Sequence, residues 1–246
     1  MMDFYERLSE YYDDIFKTKE KAITFIEDVI SSRGGKLLDL AAGTGAEAVA
    51  LAKKGYELTA VDLSPLMVKK IQEKADLHDV ILTAFEADMC HLDHTSLSNQ
   101  DGIYCIGNSF VHLPHGEAMR KCLNSVYHLL KRGGSFIVQI VNYDRIFKHQ
   151  ITKLPVIKNE AKGLLFERFY TFNKEDISFQ MKLTVENADA EAAIYECETK
   201  LTPLMKDDFM SIIRNSLFQH AEFYGTFDGE GLTYDSPALI AVMRKN

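Results

Sequence analysis

The chain contains 246 residues, of which 46% are hydrophobic and 26% are charged, and it carries a formal net charge of −8. This length suits one α/β domain with an elaboration. The acidic balance argues against nucleic acid as a main partner, because neutralising phosphates requires clustered Lys and Arg. No stretch approaches the ~20 apolar residues that span a bilayer, so no membrane partner is expected.

Cysteine usage points to a reducing compartment. The four cysteines, Cys90, Cys105, Cys122 and Cys197, show neither the spacing of a metal site nor that of a disulfide framework. The N-terminus is charged and does not resemble a signal peptide. We therefore expect a cytoplasmic protein without a bound metal.

Strand-like and helix-like segments alternate over the first half of the chain, which predicts a parallel sheet. Two helices come first, at about 4–16 and 19–32. The last helix of this half is expected to stop at Gly133 and Gly134. The predicted strands are 36–40, 57–61, 80–86, 101–106 and 135–141, and the helices between them are about 45–54, 64–74 and 115–131.

The pattern becomes antiparallel after residue 164. Three strand-like segments, at 165–172, 177–186 and 192–202, are separated by turn residues. The remaining predicted elements are a helix at 206–217 and strands at 220–226 and 239–244.

This antiparallel segment interrupts the α/β pattern. Residues 1–149 and 205–246 are expected to form one domain, with residues 150–204 as an inserted antiparallel β lid. An insertion at this point stands over the carboxyl ends of the parallel strands, where ligands bind in such sheets. We therefore expect the lid to cover a substrate.

The most informative stretch is 36–45, where a buried strand breaks into a glycine turn and then a helix. Gly43 and Gly45 allow a tight turn with positive backbone dihedrals and leave room for a ligand. Asp62 ends the next strand, where a carboxylate can take both hydroxyls of a ribose. A cofactor that contains a nucleoside is therefore predicted across the first two strands.

The turn resembles motif I of the class I S-adenosylmethionine-dependent methyltransferases. The family's acid-x-small-x-Gly-x-Gly pattern matches at Asp39, Ala41, Gly43 and Gly45. The resemblance implies S-adenosylmethionine as the cofactor, whose ammonium and carboxylate need an acceptor and donors beside the turn. It also implies a doubly wound, mostly parallel seven-stranded sheet of the Rossmann-like methyltransferase type. A dinucleotide enzyme, which would need a third glycine under its pyrophosphate, and a turn without a ligand are the alternatives.

The resemblance extends to the residues that follow the next strands. Leu63 should lie at the ribose and adenine edge, and Met67 could either cover the adenine or pack in the core. An acid at the position of Asp88 bonds the adenine amino group in the family, although Asp88 could also be a solvated loop residue. The expected cofactor-binding residues are Tyr12, Asp39, Ala41, Gly43, Gly45, Asp62, Leu63, Met67, Ala87, Asp88, Met89, Cys105 and Ile106.

A second signature follows the fourth strand. Residues 105–113, with Asn142-Tyr143-Asp144 further on, resemble the glycine and sarcosine N-methyltransferase group, and the match covers roughly 36–146. It implies Asn108 as a ligand of the methyl acceptor. His112 is either a structural histidine or a catalytic base. Cys105 is not expected to be a nucleophile, because the Pro-Cys setting of cytosine-methylating enzymes is absent.

The rest of the acceptor site is less defined. The glycine enzyme grips a carboxylate with an arginine after its fifth strand, and Arg145 and Arg168 are the candidates here, although Arg145 could simply pair with a surface acid. Tyr11 and Tyr12 resemble tyrosines that fold over the cofactor in this group. Tyr11 is therefore a candidate acceptor ligand and Tyr12 a candidate cofactor ligand, with packing as the alternative for both.

These motifs together predict a methyltransferase for a small-molecule acceptor, most simply an amine such as an amino acid. An amine must arrive neutral and needs positioning by Asn108 more than a strong base. The alternatives are an O-methyltransferase with His112 as base, a non-catalytic S-adenosylmethionine-binding protein, and a nucleic-acid methyltransferase. An exposed strand edge in the lid could also pair with a second copy, giving a homodimer.

Overall fold

The computed structural model describes residues 2–30, 32–92, 97–187 and 190–246. The strands are β1 (Lys36–Leu40), β2 (Glu57–Asp62), β3 (Leu82–Glu86), β4 (Gln100–Cys105), β5 (Leu130–Val141), β6 (Ile157–Asn159), β7 (Leu164–Phe172), β8 (Ile177–Asn187), β9 (Ala190–Leu201), β10 (Glu222–Tyr224) and β11 (Ala238–Arg244). The helices are α1 (Met2–Ile15), α2 (Glu20–Ile30), α3 (Ala46–Lys53), α4 (Pro65–Leu77), α5 (His115–Leu129), α6 (Tyr143–Lys148) and α7 (Lys206–Arg214).

Seven strands form a central sheet in the order β10–β11–β5–β4–β1–β2–β3. Of the strands described in this sheet, only β11 runs in the opposite direction to the others. Parallel neighbours require crossover connections, which the helices supply. The predicted doubly wound, mostly parallel seven-stranded sheet is confirmed.

Helices cover both faces of the central sheet. Helices α2, α3 and α4 pack on one face, and the side chain of Leu37 points into that core. Helices α5 and α7 pack on the other face, together with Leu38. Because successive residues of a strand point to opposite faces, a strand buried on both sides is apolar almost throughout, as β1 is.

The second sheet has the order β6–β7–β8–β9 and is antiparallel throughout its described strands. Three of these strands were predicted, but β6 was missed because three residues are too few to show alternation. The inner face of this sheet packs at one end against Phe4 and Leu8 of α1 through Phe166. At the other end, Tyr170 and Leu201 join the core of the central sheet.

The boundary between α5 and β5 differs from the prediction. Helix α5 ends at Leu129, and β5 begins at Leu130 instead of residue 135. The strand is irregular here: Leu130 pairs with Gln100, and the register then shifts. A side chain on Gly134 would come within 2.9 Å of the Gln100 carbonyl oxygen. Gly134 therefore permits a close approach inside a strand, and Gly133 adopts a positive φ of 76° there, so neither glycine ends a helix.

Helix α6 was also not predicted, because its six residues are too few to show helical periodicity. Within the described ranges, no helix is both long enough and apolar enough to cross a bilayer.

Gly102 lets α2 pack closely on β4, which gives a test of the fold. A methyl group on Gly102 would overlap the Ile30 side chain and lie 3.2 Å from Leu37 Cδ2. We expect Gly102→Ala to lower the free energy of unfolding by about 1–3 kcal/mol, as overpacking of a core does. Gly116→Ala is the matched control, since its new methyl group would lie 3.5 Å from Ile212. Urea denaturation followed by circular dichroism should separate the two variants, and equal stabilities would contradict the close approach.

Candidate functional site

The glycine turn after β1 is built from three residues in the left-handed region. Gly43 has a φ of 55° and Gly45 a φ of 74°, so the positive dihedrals predicted for them are confirmed. Ala41 also has a positive φ, 56°, which the sequence did not signal. For a residue with a side chain this conformation costs roughly 1–2 kcal/mol. Strain of this kind is typical of functional loops that the surrounding structure holds in place.

The Asp62 carboxylate ties this turn to the end of β2. Its Oδ2 accepts a hydrogen bond of 2.8 Å from the Gly43 backbone N–H, and its Oδ1 accepts one of 2.9 Å from the Ser64 N–H. Burial raises the pKa of Asp62, and these backbone hydrogen bonds oppose that shift. The Leu63 backbone N–H also contacts this carboxylate. Its two oxygens have about four acceptor sites, so Asp62 can still accept a hydrogen bond from a ligand hydroxyl.

Tyr12 covers the glycine turn from α1. A Cβ on Gly43 would lie only 3.1 Å from the Tyr12 hydroxyl oxygen, so a side chain there would close the gap between turn and helix. Burial raises the pKa of the Tyr12 phenol, and the charges of Asp62, Glu47, Asp13 and Asp39 raise it further. The space around Tyr12 is therefore strongly negative and favours a cationic ligand.

Asp39, the first acid of the motif, lies at the base of this negative region. It is 3% exposed. Burial raises its pKa well above the usual range of a carboxyl group, and the charge of Glu47 adds to the shift. A positive ligand charge near Asp39 would favour its ionised form.

A network of three residues holds α1 against the turn. Asp13 Oδ1 accepts hydrogen bonds from Thr44 Oγ1 at 2.6 Å and from Lys74 Nζ at 2.7 Å. Lys74 Nζ also donates to Thr44 Oγ1 at 2.9 Å. The network joins α1, the turn and α4, and so fixes the helix that carries Tyr12. Sequence analysis missed it because the three residues come from separate segments and belong to no motif.

The ends of β2 and β3 form the next wall of the site. Ala87 N–H donates to the Asp62 carbonyl oxygen at 3.1 Å, which brings Ala87, Asp88 and Met89 beside Asp62. Leu63 is 69% exposed, although it is apolar and adjoins Asp62. Met67 is buried and packs within the protein. An exposed Leu63 at the rim offers an apolar surface to a ligand ring.

The end of β4 contributes residues of two kinds. Cys105 is fully buried, and burial raises the pKa of its thiol, so it cannot serve as a nucleophile. Ile106 is partly buried and packs against the α2 and α3 side of the core. Asn108 has a φ of 74°, so it is a second non-glycine residue, after Ala41, in the left-handed region at the carboxyl ends of the strands.

The Asn108 side chain is oriented by two contacts. Its Oδ1 accepts a hydrogen bond of 2.9 Å from the Val141 N–H, which identifies the oxygen of the amide. Its Nδ2 lies 3.2 Å from the Tyr143 hydroxyl oxygen and donates to it. The Tyr143 hydroxyl oxygen also lies 3.4 Å from Asn108 Oδ1, and Asn108 thus links the ends of β4 and β5.

Tyr143 and Tyr170 are site residues to which the sequence analysis assigned no role. Their ring centroids are 6.5 Å apart, and both rings are buried. Burial raises the pKa of both phenols, and each hydroxyl also acts on the pKa of the other. Tyr143 stands in the Asn-Tyr-Asp motif and Tyr170 in the aromatic run of β7, but most aromatics with that spacing belong to a core.

The two candidate arginines differ in their surroundings. Arg168 lies on β7 between Phe166 and Tyr170, on the same inner face, because alternate residues of a strand share a face. Its Nη2 donates to the Pro155 carbonyl oxygen at 2.9 Å, but its buried Nε has no partner among the described residues. Arg145 on α6 is partly exposed and forms no ion pair with a described acid.

The other candidates lie at the margins. Tyr11 packs against the cluster formed by α1 and the second sheet. His112 ends a short 3₁₀ turn and is exposed to solvent. Desolvation by the surrounding protein atoms lowers the pKa of its imidazole. In the part of the chain that the structure describes, no group of three or more His, Cys, Asp or Glu side chains could hold a metal ion.

Comparisons with known proteins agree with this geometry. The family model described as a methyltransferase domain matches residues 37–134. A glycine/sarcosine/dimethylglycine N-methyltransferase from Actinopolyspora halophila is 30% identical over 88% of this chain, and the match spans only 38% of that longer protein. A glycine/sarcosine N-methyltransferase from Aphanothece halophytica is 25% identical over 99% of this chain and 90% of its own length.

A solved structure shows the same fold. An S-adenosylmethionine-dependent methyltransferase from Clostridium acetobutylicum superposes with a TM-score of 0.83 at 17% identity, covering 98% of this chain and 99% of that one. The seven-stranded sheet, the strained glycine turn tied to Asp62 and these matches agree on one assignment. The chain belongs to the class I S-adenosylmethionine-dependent methyltransferases.

Proposed function

We propose that the protein transfers a methyl group from S-adenosylmethionine to the nitrogen of a small amine that bears a carboxylate, such as an amino acid. The observation that carries this proposal is a buried, unpartnered polar atom on the inner face of the second sheet, Arg168 Nε, on the same face as the buried Tyr170. Two relatives described above are named as enzymes that methylate glycine and sarcosine, which supports the same class of acceptor.

The residues around the glycine turn fit this cofactor. Bound S-adenosylmethionine supplies an electrophilic methyl group on a positively charged sulfur. The carboxylates facing Tyr12 suit its two positive charges, and the Asp62 carboxylate at the end of β2 suits its ribose hydroxyls. Leu63 and the segment that carries Asp88 would flank the adenine.

Arg168 is suited to a carboxylate. The Phe166 ring lies 5.6 Å from its guanidinium carbon, and only a backbone carbonyl satisfies one of its nitrogens. A half-buried guanidinium without an acid partner is costly, and a carboxylate would relieve that cost with charge-assisted hydrogen bonds. Burial lowers the pKa of the Lys19 ammonium. Glu47 opposes this shift, whereas Arg168 adds to it, so the two cations lie near each other.

Tyr170 and Tyr143 continue the polar path from Arg168 toward Asn108. The Tyr170 hydroxyl could donate to the same carboxylate, and Asn108 Oδ1 could accept from the amine in place of its 3.4 Å contact with the Tyr143 hydroxyl. A ligand with both groups would then lie between the second sheet and the carboxyl ends of the strands. Holding the amine in line with the methyl group supplies most of the rate, since orientation alone can be worth roughly 7–11 kcal/mol.

In this proposal residues 150–204 act as a lid on a domain of residues 1–149 and 205–246. The inner face of the second sheet joins both α1 and the central core, so it can exclude water from the acceptor. Strand β9 is the edge of this sheet, and Ile194 on it is 55% exposed. We propose that two copies pair through this edge to form a homodimer. We also propose that the protein is cytoplasmic, since its cysteines are free thiols.

A second candidate function is methylation of a hydroxyl with His112 as base. It is favoured by the lowered pKa of His112, which keeps the imidazole neutral and able to accept a proton. If this were the reaction, the rate would fall as the pH drops through that pKa, and His112→Gln would remove the inflection. For an amine acceptor we expect the rate to follow the deprotonation of the amine at alkaline pH, with the same profile in both proteins. A pH–rate series for the variant and the unmodified protein decides between the two.

Asp62→Ala tests the cofactor site. Loss of the carboxylate removes the hydrogen bond that positions Gly43 and the acceptor for the ribose hydroxyls. We expect the Kd for S-adenosylmethionine to rise tenfold or more, about 1.4 kcal/mol or above. Calorimetric titration measures it, with Asp76→Ala on the exposed side of α4 as the control. An unchanged Kd would remove Asp62 from the site.

Arg168→Met tests the acceptor site. With glycine or sarcosine as acceptor we expect kcat/KM to fall at least a hundredfold, about 2.7 kcal/mol, because the carboxylate loses its charged partner. With the corresponding methyl esters the loss should be less than threefold, and the Kd for S-adenosylmethionine should not change.

Lys158→Met, an exposed cation of the same sheet, is the matched control for Arg168→Met. Equal losses on acids and esters would show that Arg168 is structural. Absence of S-adenosylhomocysteine formation with every amine tested would instead overturn the N-methyltransferase proposal itself.

A further inference from the structure

Two buried thiols lie in contact beneath the wall that follows β3. Cys90 is 7% exposed and Cys122, on α5, is fully buried. The Cys90 sulfur lies 3.7 Å from the carbonyl oxygen of Ala118, which is one helical turn before Cys122. Both thiols belong to the same core cluster, and each acts on the pKa of the other. The proposed methyl transfer uses neither of them.

Cys90 is connected directly to the proposed adenine wall. Asp88 Oδ1 accepts a hydrogen bond of 2.8 Å from the Cys90 backbone N–H, and its Oδ2 lies 3.0 Å from His91 Nδ1. The orientation of the Asp88 carboxylate therefore depends on where the backbone of Cys90 lies. Any reaction that moves Cys90 moves Asp88 as well.

The two thiols have different chemical characters. The neighbouring Cys122 lowers the pKa of Cys90, and the charge of Lys121 adds to this shift, whereas burial and Asp88 oppose it. The neighbouring Cys90 and burial raise the pKa of Cys122. A thiol that ionises readily beside one that stays protonated is the arrangement found where one cysteine is oxidised first and the second resolves it.

We propose that Cys90 and Cys122 form a reversible disulfide that weakens cofactor binding, so that the enzyme responds to peroxide. The Cys90 thiolate attacks one oxygen of hydrogen peroxide, the O–O bond breaks, and a sulfenic acid and one water form after protonation. The Cys122 thiol then attacks the Cys90 sulfur, the S–O bond breaks, and a second water leaves. Two thiols and one peroxide thus give one disulfide and two waters, and a dithiol reductant restores the thiols.

The bond must change the wall of the site because its length is fixed. A disulfide holds its sulfurs about 2.05 Å apart, closer than two thiols that are not bonded to each other. Cys122 lies within a helix at full burial, whereas Cys90 lies in irregular backbone after β3. The segment of Cys90 therefore moves and carries Asp88 with it. This consequence depends on the role of Asp88 in the proposed cofactor site.

The other two cysteines provide internal controls. Cys105 is fully buried at the end of β4, and burial raises the pKa of its thiol. Cys197 on β9 is partly exposed, and its pKa is also raised, chiefly by burial. Cys197 can therefore report general oxidation.

The test treats the full chain with increasing hydrogen peroxide and maps disulfides by mass spectrometry of non-reduced peptides. We expect a Cys90–Cys122 peptide pair to appear before Cys197 is oxidised. The Kd for S-adenosylmethionine, measured by calorimetry, should rise at least tenfold in the oxidised protein and return after dithiothreitol. The Kd of Cys90→Ser should not respond to peroxide, whereas Cys197→Ser should respond as the unmodified protein does.

Two results would overturn the switch. One is full oxidation of Cys197 without any Cys90–Cys122 pair, and the other is formation of the pair with an unchanged Kd. Mapping in the unmodified protein decides the first point even where Cys90→Ser folds poorly. The reduced protein is the reference for the Kd, so a failure of cofactor binding itself would be seen there and kept separate from a failure of the switch.

Discussion

The hydrogen bond from the Gly43 N–H to the Asp62 carboxylate is the constraint on which the rest of the site depends. It joins the loops after two neighbouring parallel strands, and it can form only if the turn after β1 folds back toward β2. That fold requires the left-handed conformation at Gly43 and Gly45, and Ala41 adopts it as well. The strain at Ala41 persists because the two residues that follow it are held: the Ala42 N–H bonds to the Val61 carbonyl oxygen and the Gly43 N–H to Asp62.

Helix α1 and the second sheet, which cover the site, depend on a second constraint: they bury their apolar side chains against each other. Neither element can bury its apolar face against the central sheet alone. Phe4 and Leu8 of α1 pack with Phe166 and Leu183 of the second sheet in a cluster of their own. Asp13 connects the same helix to the glycine turn. Helix α1 therefore contacts both the proposed cofactor site and the second sheet over the proposed acceptor site. A displacement of α1 would change both at once.

The sequence predicted those parts of the molecule that rest on local patterns. The parallel strands, the dihedrals of Gly43 and Gly45 and the position of Asp62 follow from apolar runs and from glycine spacing, which act over a few residues. Contacts between distant segments leave no such trace. The bonds of Lys74 to α1 and to the turn, and the meeting of Tyr143 with Tyr170, depend on how whole elements pack.

Short or irregular elements were not predicted from the sequence, for a related reason. Strand β6 and helix α6 are each shorter than the period needed to recognise them. Gly134 was correctly recognised as a position that requires glycine, but both a close approach between strands and the end of a helix require one. Only the pairing partner, Gln100, tells the two apart, and it lies thirty residues earlier in the chain.

The distribution of charge across the site connects the two proposed ligands. Carboxylates gather below Tyr12, on the side of the glycine turn, while Arg168 lies on the second sheet. A field with this direction orients an amino acid with its carboxylate toward the second sheet and its nitrogen toward the cofactor. The same field acts on the protonation of that nitrogen: nearby acids favour the ammonium, whereas a cationic cofactor and Arg168 favour the neutral amine. Binding of the cofactor before the acceptor would therefore offset the acids and help to supply the lone pair that methyl transfer requires.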